Sequence, residues 1–139
     1  MDDMTRDGLL GSWKLTSARY RMSDNGEVID EHIQGFCTFD ANGRWTAVAV
    51  PSDLDAPESD AERSAIFSRT IAFSGRCSFD GNQITVKLDV AWNPAFKGRE
   101  FQRIAELEGD RLTIIQPEWE HPFFKGRKTV GTVTWQRDR

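Results

Sequence analysis

One pattern, used three times, constrains the fold of this chain more than any other feature. It runs first as Phe39-Asp40-Ala41-Asn42-Gly43-Arg44-Trp45-Thr46. It returns as Phe79-Asp80-Gly81-Asn82-Gln83-Ile84-Thr85 and, more loosely, as Leu107-Glu108-Gly109-Asp110-Arg111-Leu112-Thr113. In each copy an apolar residue enters a short Asp/Asn/Gly cluster, and an alternating run containing Thr leaves it. Asp, Asn and Gly tolerate the backbone that tight β-hairpin turns require, so each copy predicts a hairpin. Three tight hairpins joined by longer connections predict an up-and-down sheet with two unlike ends.

Alternation of apolar and polar residues places strands at 12–20, 33–39, 44–50, 70–79, 83–92, 99–107, 111–116 and 128–136. The run 83–92 alternates most clearly, with Ile84, Val86, Leu88, Val90 and Trp92 on one face. On the first strand, strict alternation puts Trp13, Leu15, Ser17 and Arg19 on one face. Residues 1–8 read as a loose or short helical lead-in. Segment 22–32 is polar and turn-rich, with a little edge strand at Glu27-Val28-Ile29. Pro51 ends a strand because proline has no N–H for the ladder. Ser59 or Asp60 caps a short helix running to about Arg69, which turns Ile66 and Phe67 toward the body of the protein. The fold class is therefore all-β, eight antiparallel strands with one short helix. Closed into an up-and-down barrel, they hold either side chains or one small ligand. A two-sheet sandwich is the alternative; near-neighbour hairpin order favours closure.

The 139 residues are enough for one domain spanning 1–139 with a substantial core. A net charge of −4 gives no argument for nucleic acid or an anionic membrane as partner. No apolar run approaches the ~20 residues of a membrane span. The start, Met1-Asp2-Asp3-Met4-Thr5-Arg6-Asp7, lacks the basic end and apolar core of a secretory signal. The expectation is a cytoplasmic protein whose partner is a small molecule; a homodimer is possible. Cys37 and Cys77 fall on strands with a third between them. Two strand spacings are roughly 9–10 Å, too far for a disulfide, so both read as small apolar fillers.

Connections in such a meander alternate between the ends. The tight turns close one end and the longer connections frame a mouth at the other. His32 and His121 both fall at the mouth, with Tyr20, Trp92, Phe96 and Trp119. An aromatic-rich opening above a barrel is where a small-molecule site is expected.

At the closed end the chain reads Leu9-Leu10-Gly11-Ser12-Trp13 at its start and Thr134-Trp135-Gln136-Arg137 at its finish. A Gly-x-Trp opening the first strand resembles the lipocalins and their calycin relatives. Over about residues 8–137 the chain more closely resembles the bacterial lipocalin-like domain family. Its members begin with a Leu-x-Gly-x-Trp-like stretch, carry a Phe/Tyr-Asp-x-x-Gly hairpin (here Phe39 to Gly43) and end near a Thr-Trp-x-Arg-like strand. The resemblance implies a lipocalin-like, calycin-type β-barrel whose base is closed by Arg137 stacked on Trp13. Such a cation–π contact is worth about 0.5–2 kcal/mol.

Two arginines stand on apolar faces: Arg103 between Phe101 and Ala105, and Arg19 beyond Leu15. Each either pairs with a carboxylate or snorkels to the rim, or binds a carboxylate, phenolate or enolate oxygen of a ligand. Tyr20, Phe73, Trp92, Phe101 and Trp119 are the candidates for ligand contact area. The stretch Glu118-Trp119-Glu120-His121 is the chemically richest loop. It is either a solvated loop with an aromatic anchor or, in an enzyme, a source of acid/base groups: His121, Glu118 and Glu120, with His32 opposite. Neither histidine has the spacing of a metal motif, and no nucleophile-elbow, Walker, Rossmann or zinc-protease motif occurs. No metal and no cofactor are expected. The favoured function is binding of a partly apolar, aromatic or polyketide-like compound, with an arginine orienting its polar group. The alternatives are a cavity enzyme (cyclase, isomerase or hydrolase) of secondary or aromatic metabolism, and a filled barrel acting through its surface. Which face of 44–50, 111–116 and 128–136 points inward stays open.

Overall fold

Glycine sets all three tight turns. In the computed structural model, which describes residues 6–139, Gly43, Gly81 and Gly109 have φ of +83°, +61° and +60°, a region that strains any residue with a Cβ. They join β3 (Ile33–Phe39) to β4 (Arg44–Pro51), β5 (Ile71–Asp80) to β6 (Gln83–Ala91), and β7 (Glu100–Glu108) to β8 (Arg111–Glu120). The first turn is reinforced by the Asp40 carboxylate, which accepts the backbone N–H of Asn42 and Arg44 at 2.9 and 3.0 Å. The outer members of the sheet are β1 (Gly11–Met22), the short β2 (Val28–Asp30) and β9 (Lys128–Arg137).

Strand order is β2-β1-β3-β4-β5-β6-β7-β8-β9, and β1 also pairs with β9. Every pairing is antiparallel. The eight long strands thus close into the expected up-and-down barrel, and the sandwich does not form. β1 serves two neighbours. Residues 11–14 pair with β3, while 19–21 pair with β2, the edge strand anticipated near Val28. Cys37 and Cys77 are free, on β3 and β5 with β4 between them. Burial pushes both thiols up to about 12. Among the described residues, no helix is long and apolar enough to cross a membrane.

Three bulges re-phase the alternation, and each corrects an expectation. In β1 the register against β9 shifts between Leu15 and Ser17. The Thr16 hydroxyl donates to the Thr134 carbonyl at 3.0 Å, and Ser17 bonds the Thr134 hydroxyl. The inward set passes from Trp13 and Leu15 to Ala18, Tyr20 and Met22. Arg19, placed inside by strict alternation, therefore points outward and pairs with Asp30 at 2.7 Å. In β6, Leu88 lies opposite Gly75 and Val90 opposite Ser74, which leaves Asp89 as the extra residue. Val90, expected inside, is 61% exposed. A Cβ on Gly75 would sit 2.3 Å from the Lys87 carbonyl, so only glycine fits there. Strand β8, expected to stop at 116, continues to Glu120 through a bulge between Gln116 and Trp119. Pro117, which has no N–H to offer the ladder, occupies that break.

The closed end is sealed by α1 (Arg6–Leu9), a single helical turn. The expected lead-in over 1–8 is seen only from Arg6 onward; 1–5 lie outside the described residues. Leu9 and Trp13 are fully buried, and the Trp13 indole N–H donates to the Leu9 carbonyl at 2.9 Å. The Arg137 guanidinium lies 4.2 Å from the Trp13 ring centroid, the stacking that the resemblance implied. It also donates to the Gly8 and Leu10 carbonyls at 2.8 and 3.0 Å, and to Asp110 at 3.2 Å. One side chain thus ties the entry of the chain, its exit and the third hairpin together.

At the other end lies α2 (Asp60–Ser68). Ser59 caps it as expected, accepting the Glu62 N–H at 3.1 Å. It does not, however, pack onto the body: Ile66 is only half-buried and Phe67 is 48% exposed. Two adjacent apolar residues among Glu62, Arg63 and Ser64 make no continuous helical face. Replacing Arg137 by Met should lower stability by about 2–4 kcal/mol, from the lost hydrogen bonds and cation–π contact together. Arg137→Lys should recover only part, because one ammonium cannot span the same acceptors. Urea denaturation measures both, and an unchanged midpoint for Arg137→Met would refute this account of the base.

Candidate functional site

The barrel is hollow because β4 turns Ala47 and Ala49 inward where larger residues would fill it. The cavity measures about 90 Å³ as the space open to the centre of a water molecule. By that measure one water needs roughly 10–15 Å³, so there is room for a compound of one or two rings. Leu15, Val86, Ile114 and Val133 form an aliphatic wall. Phe73, Trp92, Phe101, Trp119 and Tyr20 line the cavity, so the five aromatic residues named as candidates for ligand contact area share one space. At the mouth Trp92 stacks on Phe96 with centroids 5.3 Å apart, and its indole N–H donates to the Phe67 carbonyl. Trp45, Trp135, Ile33 and Gln116 also line the space and were not anticipated. A signal existed for Trp135: counting back by twos from the inward Arg137 reaches it and Val133.

Arg103 is the cation of this cavity. Inward alternation on β7 sets its guanidinium 5.2 Å from the Phe101 ring centroid and 4.8 Å from that of Trp119. One N–H donates to the adjacent Gln102 carbonyl at 2.9 Å. Among the described residues no carboxylate pairs with it. Burial pulls its pKa down to about 10, a sign of desolvation without a counter-charge, yet it stays charged at neutral pH.

His121 reaches the same place because the β8 bulge turns Trp119 and then His121 inward. Its ring is almost fully buried, 4.5 Å from Tyr20 and 4.4 Å from Phe123 by centroids. The Phe123 backbone N–H donates to His121 Nδ1 at 3.0 Å. Nδ1 therefore carries a lone pair, and the proton of the neutral ring sits on Nε2. Burial, with the Arg103 charge adding to it, pushes the imidazole down to about 3. Tyr20 is buried beside it, and burial pushes its phenol up. Room for Tyr20 is made by Gly131, directly opposite on β9, where a Cβ would lie 2.8 Å from the tyrosine ring.

The other acid/base candidates do not join this cluster. His32, Glu118 and Glu120 are all exposed, and Arg19 lies outside the barrel. Glu31, the acid whose charge Tyr20 feels, is held by Arg69 at 3.3 Å. Among the described residues, no three His, Cys, Asp or Glu side chains gather closely enough to hold a metal.

The buried neutral histidine has a consequence for stability. The unfolded chain takes up a proton on this imidazole near pH 6.5, while the folded protein resists until about pH 3. Stability should fall as pH drops from about 6.5 toward 4, with a slope approaching ~1.4 kcal/mol per pH unit. The facing groups are Tyr20, Arg103 and the rings of Trp119, Phe123 and Phe124, none of which titrates in that window. His121→Asn keeps an acceptor for the Phe123 N–H and should flatten this part of the urea-midpoint profile. Identical wild-type and variant slopes would show that the histidine is not buried in its neutral form.

The model of the lipocalin-like domain family matches residues 10–138. Among solved structures, a lipocalin-like protein from Bacteroides uniformis is similar over 94% of this chain and 99% of its own, with 16% identity and a TM-score of 0.49. A protein from Bacteroides eggerthii described only as uncharacterized is similar over the same shares, with 16% identity and a TM-score of 0.45. No curated protein matches the sequence. The family match covers the whole barrel, from the strand that opens it to the arginine that seals its base, and the chain belongs to the lipocalin-like domain family.

Proposed function

We propose that this barrel binds one small, largely apolar organic molecule of one or two rings, with the molecule's polar group turned toward Arg103. Membership of the family and a predominantly apolar cavity support a cavity protein in general. The single observation that carries the specific reading is Arg103: a guanidinium on the cavity wall, between two aromatic rings, without a carboxylate of its own. Desolvating a charge without a partner costs several kcal/mol, which an anionic ligand would offset. An aromatic wall suits a flat ring, because offset and edge-on ring contacts add about 0.5–1.5 kcal/mol each beyond area burial.

Binding is favoured over catalysis because the acids that a proton relay would need stand in solvent, away from His121. Tryptophan fluorescence offers the test, since Trp45, Trp92, Trp119 and Trp135 all line the cavity. Benzene and naphthalene carboxylates should perturb the emission saturably. Arg103→Met should weaken binding roughly tenfold or more, whereas Arg19→Met, on the outer surface, should leave it unchanged. Absence of saturable binding for every ring compound would overturn the proposal, and equal affinity of wild type and Arg103→Met would overturn the role given to Arg103.

A further inference from the structure

The polar groups of the cavity wall are predominantly hydrogen-bond donors. Arg103 has donors only. His121 is locked as an Nε2–H donor by the backbone N–H that occupies its Nδ1. Gln116 accepts the Trp119 indole N–H at 3.4 Å on its carbonyl oxygen, which keeps a second lone pair, and has its amide NH₂ to donate. The Tyr20 hydroxyl, which can donate or accept, makes no hydrogen bond among the described residues. The indole N–H groups of Trp45 and Trp135 are unpartnered too, but they are sealed from any water-sized space; Tyr20 and His121 are not sealed in this way.

We infer that Tyr20 and His121 complete a head-group site with Arg103, and that this site takes an acceptor-only oxygen anion of the carboxylate or enolate type and rejects amides and ammonium groups. The inference rests on the cavity-binding reading above and adds the chemical class of the head group. A planar two-oxygen anion offers about four lone-pair directions, enough for the guanidinium, the phenol O–H and the imidazole N–H together. An amide of the same shape replaces one acceptor with an NH₂ that would face donors. An ammonium would place its charge beside Arg103. In a desolvated site such unmatched donors are costly, so selection should be steep. His121 acts here as a fixed donor. Burial keeps Tyr20 protonated and His121 neutral around pH 7, so both hold their donor hydrogens whether or not a ligand is bound.

The test compares naphthalene-2-carboxylate, its isostere naphthalene-2-carboxamide and the cation of 2-(aminomethyl)naphthalene by calorimetry and fluorescence at pH 7. The carboxylate should bind tightest, by roughly tenfold or more over the amide, with the ammonium weaker still. Tyr20→Phe and His121→Asn should each shrink the acid-over-amide ratio. His121→Gln, whose amide nitrogen can stand where Nε2 stood, should restore most of it. In nitrogen-15 spectra the His121 Nε2–H signal should shift with the carboxylate and not with the amide. If a histidine variant does not fold, the probe series on wild type and Tyr20→Phe decides. Equal binding of all three probes would overturn this inference and leave the cavity reading standing. Absence of binding by any of them would overturn both.

Discussion

The structure depends first on the pairing of β1 with β9. Without it the sheet is an open meander with two raw edges, and the cavity has no far wall. That seam also demands a local irregularity: β1 leaves β3 after Lys14 and follows β9 through a bulge at Thr16 and Ser17. The bulge is anchored by Thr134, whose carbonyl and hydroxyl both receive partners from the looped-out residues. Beyond it every inward residue of β1 is an even-numbered one. Closure and the presence of Tyr20 in the cavity are thus two results of one pairing.

This explains which parts of the molecule could be read from the chain. The turns are local: Asp40 and Gly43 contain within five residues all that their hairpin needs, and so the hairpins, the strand order and the two unlike ends were legible. The base was legible by resemblance through Trp13 and Arg137. Parity beyond a bulge is not local. Nothing between Leu15 and Arg19 announces that Thr134, 118 residues away from Thr16, will hold an extra residue in place. Arg19, Val90 and the course of 117–121 were each misplaced for that reason, since one added residue exchanges the two faces of a strand. Arg103 and Phe101 were placed correctly because no bulge intervenes on β7.

The contrast between arginines singles out the same region as the cavity does. Among the described residues, Arg19, Arg44, Arg63, Arg69, Arg127, Arg137 and Arg139 all stand in ion pairs. Arg21, Arg76, Arg99 and Arg111 lack such pairs but are exposed, where water solvates the charge. Among the described residues Arg103 has no ion pair and is only partly exposed, held between the Phe101 and Trp119 rings. An apolar replacement there would suit the fold better, because an unpaired charge in a barrel interior is destabilising wherever it has no ligand to meet.

The two ends of the barrel divide the work accordingly. At the base Arg137 is fully engaged, by two carbonyls, a carboxylate and the Trp13 ring, and its contacts hold three segments of chain. In the upper half Arg103 has the same chemistry with almost all of its bonding unspent, next to a histidine held neutral and a phenol without an acceptor. Such a cluster persists only in a scaffold whose closure does not rely on it, and the seam and the base supply that scaffold independently. The unsatisfied donors are therefore a property of the cavity that the rest of the fold supports, and on the proposed reading they select an anionic oxygen group whose flat apolar body fills the space between Ala47, Ala49 and the tryptophans.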